Sequence, residues 1–292
     1  MDLSATIRNT PHILELLLKD QTLCASGQSS NIRWATEEYP FSAEQQIGTE
    51  QIKEYVQPRM MKHIDLQTAR SKNYAEVFTP AWLCNAQNNL VDDAWFGRKD
   101  VFNKEVTLND GTHSWHTTQE HIVFTNGRTW QQYIKAPRLE MACGEAPYIC
   151  SRYDATTGEA IALTNRIGIA DRKFRVLLEN SPQQPTPYNK RRFLLKAYQV
   201  LQSVYGFDWQ GDNVFLARES LLLTFCEYYH HQWKRRPSLP SIQKAAEIIS
   251  WNIWQMDGTR FTIPYTNTLA TIKEWHGAEL TKGKTIVFKD LI

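Results

Sequence analysis

The spacing of apolar residues predicts a mainly helical region at the beginning of the chain. Apolar residues recur at helical intervals from Ile13 to Leu18 and again from Ile52 to Ile64, with a polar loop around Gly27 to Asn31 between them. A further helix is expected to begin at Thr79-Pro80, because threonine is a good N-cap and proline suits the first helical turn. We therefore predict a helical N-terminal region, residues 1–70, ahead of the rest of the fold.

The pattern changes after residue 100. Val101 to Leu108 and His121 to Phe124 are short β-prone stretches beside Asn-Asp-Gly and Asn-Gly turn signals. From about residue 138 the order becomes strand, glycine loop and helix, then strand, acid and helix, then strand and acid, which is typical of an open α/β sheet. Residues 155–190, with the proline- and glutamine-rich run Ser181 to Pro187, are expected to form a surface loop or insertion. Residues 71–292 are predicted to be one α/β domain.

The first segment that carries chemistry runs from Arg138 to Tyr148. Its strand contains Glu140 and leads through the small residues Ala142, Cys143 and Gly144 into a helix expected at Tyr148 to Tyr153. Small residues let a ligand approach the backbone closely, and a helix N-terminus offers free N–H groups to an anion. The spacing is not G-x-G-x-x-G, so a dinucleotide site is poorly supported. The alternative is that Gly144 simply ends a loop.

The second segment places Asp208 at the end of a strand and Trp209 directly after it, before a helix through Leu221. In doubly wound folds an acid at this position accepts hydrogen bonds from ribose hydroxyls. The Trp209 ring could stack on an adenine. The alternative is that Asp208 caps the following helix and that Trp209 belongs to the core.

The third segment, Ile248 to Gly258, is predicted to be an apolar strand that ends in Asp257, whose carboxylate could accept a hydrogen bond from an adenine amino group. By itself it is equally a strand followed by a turn. Because ligand groups gather at the carboxyl ends of adjacent strands, Glu140, Asp208 and Asp257 are expected to converge. An amino group, a ribose and an adenine describe S-adenosyl-L-methionine better than NAD, since nothing here looks like a pyrophosphate loop.

Four segments, in order, resemble the N6-adenine DNA methyltransferases of restriction–modification systems. Ala75 to Leu83 resembles that family's Phe-Thr-Pro segment, through Phe78, Thr79 and Pro80, and Glu140 to Ala146 resembles its Asp-Pro-Ala-Cys-Gly-Ser-Gly loop. Tyr205 to Gln210 is similar to its ribose-binding segment, and Gln255 to Gly258 to its adenine-contacting segment. The resemblance implies a Rossmann-like methyltransferase fold and S-adenosyl-L-methionine as cofactor. It implies that the cofactor contacts Phe78, Thr79, Pro80, Glu140, Ala142, Cys143, Gly144, Asp208, Trp209 and Asp257.

The chain departs from this family in three places. Glu140 replaces the usual aspartate, and Ala146 stands where the second glycine is usual. The larger departure is that no Pro-Pro dipeptide occurs, so the catalytic Asn-Pro-Pro-Tyr-like segment is absent. Neither Ile263-Pro264-Tyr265 nor Ala146-Pro147-Tyr148 replaces it, because neither has an amide or carboxylate two places before the aromatic ring. We therefore expect no catalytic residue in this chain.

The strand-like stretch Thr285 to Ile292 resembles the strand that leads into the catalytic loop in intact relatives. We therefore expect an incomplete sheet and a split enzyme, inactive alone. A companion polypeptide would carry the catalytic loop and the target-recognition region, and the complex would bind double-stranded DNA. The alternative is a degenerate methyltransferase-like protein that binds S-adenosyl-L-methionine in a regulatory or structural role. A methyltransferase for another substrate and an unrelated α/β protein also stay open.

The amino-acid composition excludes few classes of protein. The formal net charge is +2, so no global basic field indicates nucleic acid, and the runs Lys190 to Arg192 and Lys234 to Arg236 are expected to be solvated. Five scattered cysteines without zinc-ligand spacing favour a reducing cytoplasm and no metal site. No secretory signal and no apolar run near the roughly 20 residues of a membrane span are present, so a cytoplasmic protein is expected.

Overall fold

We describe a computed structural model of the chain, which covers residues 3–25, 27, 29–74, 76–277 and 283–292. Ala75 of the Phe-Thr-Pro segment and Gln28 of the polar loop lie outside the described residues. The helices are α1 (Leu3–Arg8), α2 (Pro11–Leu18), α3 (Gln21–Ala25), α4 (Ile52–Tyr55), α5 (Ile64–Tyr74), α6 (Ala81–Phe96), α7 (Trp130–Lys135), α8 (Ile169–Glu179), α9 (Pro187–Leu201), α10 (Gly211–Trp233) and α11 (Leu239–Asn252). The strands are β1 (Asn103–Thr107), β2 (His113–Thr117), β3 (Arg138–Met141), β4 (Val204–Asp208), β5 (Ile253–Gln255), β6 (Thr271–Trp275) and β7 (Gly283–Val287). The fold therefore mixes helices with small sheets, which is compatible with an α/β architecture.

The central sheet has three parallel strands in the order β3-β4-β5. Glu140 lies opposite Gly206, and Asp208 lies opposite Gln255. Parallel strands are normally covered on both faces, and β5 is buried at every position. A Cβ on Gly206 would lie only 3.1–3.2 Å from the side chains of Ile149, Cys143 and Ile253, which is a tight contact. The central strand is therefore packed closely against the loop that follows β3.

Two antiparallel hairpins, β1–β2 and β6–β7, accompany this sheet. The turn between β1 and β2 falls at the predicted Asn-Asp-Gly signal. The C-terminal hairpin and the turn after it pack on the central sheet: the Tyr205 hydroxyl donates to the Lys273 carbonyl of β6 at 3.1 Å, and the Phe288 ring lies 5.7 Å from that of Phe207 and 5.2 Å from that of Trp254. The predicted strand Thr285 to Ile292 is correct only up to Val287, where β7 ends, and a 3₁₀ turn from Phe288 to Leu291 follows it. Strand β7 pairs with β6 rather than with the parallel sheet.

Helix α10 runs through the core and ties the N-terminal residues to the sheet. It is buried along nearly its whole length, which fits a helix that is apolar on most sides. The buried guanidinium of Arg218 donates hydrogen bonds to the carbonyls of Leu17, at 2.6 Å, and Ile253, at 2.7 Å. Residues of α1, α2 and α4 therefore share one hydrophobic core with the residues that follow them.

Several expected elements are wrong or shifted. Residues 148–153 form no helix: Tyr148 and Ile149 lie in a turn, and their carbonyls accept the N–H groups of Ile169 and Ala170 at the start of α8. The predicted strand at His121 to Phe124 is absent from the described structure: the N–H of Ile122 donates instead to the Glu179 carboxylate, at 2.8 Å. Strand β1 pairs with β2, residues His113–Thr117.

Other boundaries move for equally local reasons. The apolar run from Ile248 is the end of α11, and the strand begins only at Ile253, since a short buried apolar run suits a helix or a strand alike. Within residues 155–190, α8 is a largely buried helix, whereas the residues from 182 to 188 are exposed as expected. The stretch from Ile52 to Ile64 holds only the short helix α4 and one 3₁₀ turn before α5 begins.

Candidate functional site

The carboxyl ends of β3, β4 and β5 meet at one edge of the central sheet, because the strands are parallel neighbours. Asp208 is the last residue of β4, and Asp257 follows β5 by two residues. Glu140 lies lower in the sheet, at the level of Gly206. The three acids predicted from the sequence therefore belong to adjacent strands, but they stand at different heights and have different surroundings.

The loop after β3 has an unusual backbone. Ala142, Gly144 and Ala146 have φ values of 50°, 52° and 62°, in the left-handed region that side chains with a Cβ rarely adopt. Each such alanine costs roughly 1–2 kcal/mol, and this kind of strain clusters at binding and catalytic sites. A glycine would relieve the strain at Ala146, the position where the resembling family has one.

Asp208 holds this loop against the end of β4. Its Oδ2 accepts the N–H of Gly144 at 2.9 Å, and its Oδ1 accepts the N–H of Gln210 at 2.9 Å. The loop also donates from Cys143 N to the Phe207 carbonyl at 2.8 Å. The bond to Gln210, just ahead of α10, is what the helix-cap alternative predicts. The bond to Gly144 joins two segments far apart in the chain, and that alternative does not predict it.

Burial raises the pKa of Asp208 from 3.8 to about 6, although the N–H groups of Gln210 and Gly144 oppose the shift. The nearby carboxylates Glu76 and Asp212 add to the increase. Above this pH the carboxylate is ionised. Each oxygen then has one backbone donor and keeps a lone pair free for a further hydrogen bond.

Glu140 faces the backbone of its own loop. Its Oε2 is buried and has no hydrogen-bond partner among the described residues. Burial raises the pKa of Glu140 well above its usual range, the N–H groups of Tyr148 and Ile149 oppose that shift, and the charge of Asp208 adds to it. The expected contact of Glu140 with an amino group stays a prediction.

Asp257 caps a turn. Its Oδ1 accepts hydrogen bonds from the N–H and hydroxyl of Thr259, at 2.8 and 2.6 Å, and from the N–H of Arg260 at 3.1 Å. Burial alone would raise the pKa of Asp257, but these hydrogen bonds lower it. This geometry agrees with the alternative given for this segment, a strand followed by a turn. The expected contact of Asp257 with adenine stays a prediction.

The Phe-Thr-Pro segment lies against the glycine loop. A Cβ placed on Gly144 would be 3.6 Å from the Phe78 ring, which is buried and carries the Arg59 guanidinium 5.2 Å from its centroid. Pro80 rather than Thr79 is the N-cap of α6, and the free N–H of Ala81 donates to Asp154 Oδ2 at 2.7 Å. The helix start was therefore predicted one residue too early.

Trp209 is held by its indole N–H, which donates to the Ala35 carbonyl at 3.0 Å. Its ring lies 5.6 Å from that of Tyr265, a half-exposed side chain in the loop after β5. The tryptophan is therefore oriented at the same edge as Asp208, with one aromatic neighbour.

A buried ionic cluster next to Asp208 was not found by sequence reasoning. Asp212, in the first turn of α10, accepts hydrogen bonds from Lys62 Nζ and Arg70 Nη1, both at 2.9 Å, and from the Tyr39 hydroxyl at 3.0 Å. Arg70 also binds Glu76, two residues before Phe78. Burial alone would raise the pKa of Asp212, but Arg70 and Lys62 lower it well below its usual range. An acid in the first turn of a helix is visible in the sequence, whereas Arg70 and Lys62 lie 142 and 150 residues before Asp212.

Comparison with protein-family models, with curated proteins and with solved structures finds no match for this chain. Cavities of about 450 and 360 Å³ lie beside the hairpin β1–β2 and along β3, and neither is lined by Asp208 or Gly144. Within the described residues, no group of three or more His, Cys, Asp or Glu side chains is placed to hold a metal ion. No helix in the described part of the chain is long and apolar enough to cross a membrane.

Proposed function

We propose that this chain is the S-adenosyl-L-methionine-binding subunit of a split, site-specific DNA adenine-N6 methyltransferase of a restriction–modification system. The observation that carries the proposal is the hydrogen bond from Gly144 to Asp208. It joins a strained glycine loop after one parallel strand to an acid at the end of the next, at the edge where open α/β sheets bind ligands. In this proposal the sheet is part of a Rossmann-like methyltransferase fold.

The residues at this edge fit the cofactor in kind. Asp208 would accept the ribose hydroxyls with its free lone pairs, and the bare backbone at Gly144 would allow close approach beside Phe78. Trp209 offers an aromatic face at the same edge. Glu140 and Asp257 support the proposal less, because one faces the loop backbone and the other caps a turn. The bound cofactor would supply the methyl group.

The chain itself supplies binding and leaves positioning of the target base to a partner. No Pro-Pro dipeptide occurs, so the segment that would hold a flipped adenine is missing. Holding reactants in place contributes effective molarities of order 10⁵–10⁸ M, and without that segment we expect no turnover. A companion polypeptide with that segment and a target-recognition region would complete the enzyme on double-stranded DNA.

Calorimetric titration of the purified chain with S-adenosyl-L-methionine tests the binding step. We expect saturable binding that is weakened by Asp208→Ala and unchanged by Asp110→Ala, which removes an exposed acid from the hairpin β1–β2. The proposal would be contradicted if the folded chain shows no binding at about 1 mM cofactor. A dissociation constant of about 1 mM corresponds to a binding free energy of about −4 kcal/mol.

A methyl-transfer assay tests the split-enzyme part. We expect the isolated chain to transfer no tritiated methyl group to adenine-containing duplex DNA. We expect transfer to appear when a polypeptide with the Asn-Pro-Pro-Tyr segment is added. Turnover by the chain alone would overturn this part. Cofactor binding without transfer in any combination would favour the regulatory or structural alternative.

A further inference from the structure

Lysine and arginine are distributed unevenly along the chain. Three stretches that contain no Asp or Glu, residues 121–139, 180–207 and 228–246, hold 11 of the 33 basic residues. The rest of the chain has 22 basic and 31 acidic residues, which is a formal net charge of −9. The small net charge of the whole chain is therefore the sum of a basic part and an acidic part. Such an asymmetry is typical of proteins with a polyanionic partner.

The three basic stretches meet in space around helix α9, which contacts both α7 and α11. The Nζ of Lys196 in α9 lies 5.8 Å from the centre of the Trp130 ring in α7. The Phe193 ring, also in α9, lies 5.8 Å from that of Trp233 at the end of α10. We call the resulting surface the basic face. Its cations, all of them exposed or half-exposed, are Lys135, Lys190 to Arg192, Lys196, Lys234 to Arg236 and Lys244.

The cations that α7 and α9 contribute to the basic face are close to one another and far from acids. Among the described residues, no salt bridge involves Lys135, Lys196 or the run Lys190 to Arg192. Burial lowers the pKa of Lys196, and the charges of Lys135 and Arg192 lower it further. Because neighbouring cations repel each other, an anion bound between them is stabilised.

The basic face lies at the end of the central sheet opposite to the candidate cofactor site. The carbonyl of Ser203, just ahead of β4, accepts the N–H of Arg138 at 2.9 Å, and its hydroxyl donates to the Ile134 carbonyl in α7 at 2.7 Å. The ends of α7 and α9 therefore lie at the amino ends of β3 and β4. Gly144 and Asp208 lie at the carboxyl ends. The basic face is thus separate from the place where a target base would meet the cofactor.

Duplex DNA fits the basic face better than a membrane or a protein does. A helix of 15 residues, the length of α9, is about 22 Å long, and the same length of duplex carries about 13 phosphate charges. A helix binds a membrane surface through a continuous apolar face, but that face of α9 is buried in the protein core and leaves Tyr188 and Leu195 exposed. Protein interfaces are depleted of lysine.

We propose that the basic face binds the phosphate backbone of double-stranded DNA, independently of base sequence. Contacts of this kind release counterions from the phosphates, so the affinity falls steeply as the salt concentration rises. The inference goes beyond the proposed function, because it requires neither the cofactor site nor a partner chain. In the proposed enzyme, the basic face would hold duplex that flanks the target while the companion polypeptide positions the base.

Fluorescence anisotropy of a labelled duplex of about 24 base pairs, titrated with the full chain at about 50 to 200 mM KCl, tests this inference. We expect saturable binding whose association constant falls with salt with a logarithmic slope of about −5. The triple variant Lys135→Gln, Arg192→Gln, Lys196→Gln should reduce that slope by about 3 and weaken binding at about 100 mM KCl by at least about tenfold. The losses should be the same for duplexes of unrelated sequence, since phosphates carry no sequence information.

The control variant is Lys72→Gln, Lys104→Gln, Lys289→Gln, which removes the same charge from exposed positions outside the basic face. It should leave the affinity and the slope nearly unchanged, because charges beyond about 10 Å are screened at this salt concentration. Thermal unfolding verifies that both variants fold. The absence of saturable DNA binding, equal losses in the two variants, or an unchanged slope in the first variant would overturn the inference.

Two further outcomes are decisive. If vesicles that contain phosphatidylserine bind the chain through the basic face and the duplex does not, the DNA inference is wrong and the face is a membrane surface. The DNA titration contains no cofactor, so its result is separate from the cofactor titration. A chain that binds DNA through the basic face but binds no S-adenosyl-L-methionine would support this inference and contradict the proposed function. The reverse result would reject the basic face alone.

Discussion

The ends of β4 and β5 carry acids in very different settings. At the end of β4, Asp208 is bonded to the glycine loop of the neighbouring strand, and Asp212 lies in a buried cluster with Arg70 and Lys62. At the end of β5, Asp257 is bonded to its own turn and is partly exposed. An acid after a strand therefore becomes part of a larger site only when another segment donates to it.

Removing Asp212 should have the largest effect on stability. Asp212→Ala leaves Arg70 and Lys62 as buried cations without their shared carboxylate, which costs about 3–5 kcal/mol of the free energy of unfolding. Asp257→Ala loses only a turn cap and should cost about 1 kcal/mol. Urea unfolding followed by circular dichroism measures both. Equal losses in the two variants would contradict the contrast between the two strand ends.

The contributions of Asp208 and Asp257 to stability should also change with pH in opposite directions. Because burial raises the pKa of Asp208 to about 6, its contribution to stability is fully present below about pH 4 and is lost as pH rises through 6. The change is about 3 kcal/mol. Asp208→Asn should remove this slope from unfolding curves between pH 4 and 7.

Asp257→Asn is the matched control. The pKa of Asp257 is lowered, so this group stabilises the fold above its unfolded pKa and its contribution is lost as pH falls. The variant should therefore lose stability near neutral pH and keep the slope that belongs to Asp208. An unchanged slope in Asp208→Asn would show that the carboxylate is not titrating as a buried group.

Asp208 and Asp257 should also differ in how much each contributes to cofactor affinity. Asp208→Ala should weaken binding of S-adenosyl-L-methionine by about 1–3 kcal/mol, the loss expected for hydrogen bonds to a charged group. Asp257→Ala should weaken it less, because Asp257 caps its own turn and is not bonded to the glycine loop. Calorimetry on both variants checks the order. A larger loss of affinity in Asp257→Ala than in Asp208→Ala would indicate that the cofactor binds nearer to the end of β5.

The smallest expected effect concerns the backbone of the glycine loop. Ala146→Gly should raise the free energy of unfolding by up to about 1 kcal/mol, because glycine accepts the left-handed φ of 62° without strain. Ala86→Gly within α6 is the control and should lower it by about 1 kcal/mol. Thermal unfolding measures both, and a loss of stability in Ala146→Gly would show that the loop is not strained there.

The sequence predicts the parts of this fold that local chemistry determines. Strand β4, helix α10 and the turn between β1 and β2 follow from apolar runs and an Asn-Asp-Gly signal. Glu140 and Asp208 lie on adjacent strands, and Asp257 lies just after the next strand, β5. The predicted elements were wrong where contacts with distant segments determine the local structure. Tyr148 and Ile149 cap α8 instead of forming a helix, and the apolar run at Ile248 could be a helix or a strand until its packing was known.

Some residues of the candidate site could be chosen from the sequence, but the cations beside it could not. Asp208, Gly144 and Phe78 could be chosen from their order in the chain, and they do lie together. Lys62 and Arg70, which bind Asp212 beside them, come from a region with no motif. Contacts between residues 142 and 150 positions apart leave no pattern in a single sequence.

Hydrogen exchange of the purified chain with and without S-adenosyl-L-methionine tests the central claim most directly. We predict that saturating cofactor slows exchange of the backbone amides at residues 142–146 and 208–211, and leaves the hairpin β1–β2 unchanged. Unchanged exchange in both segments at saturating cofactor, or protection confined to another part of the chain, would contradict a cofactor site at the junction of Gly144 and Asp208.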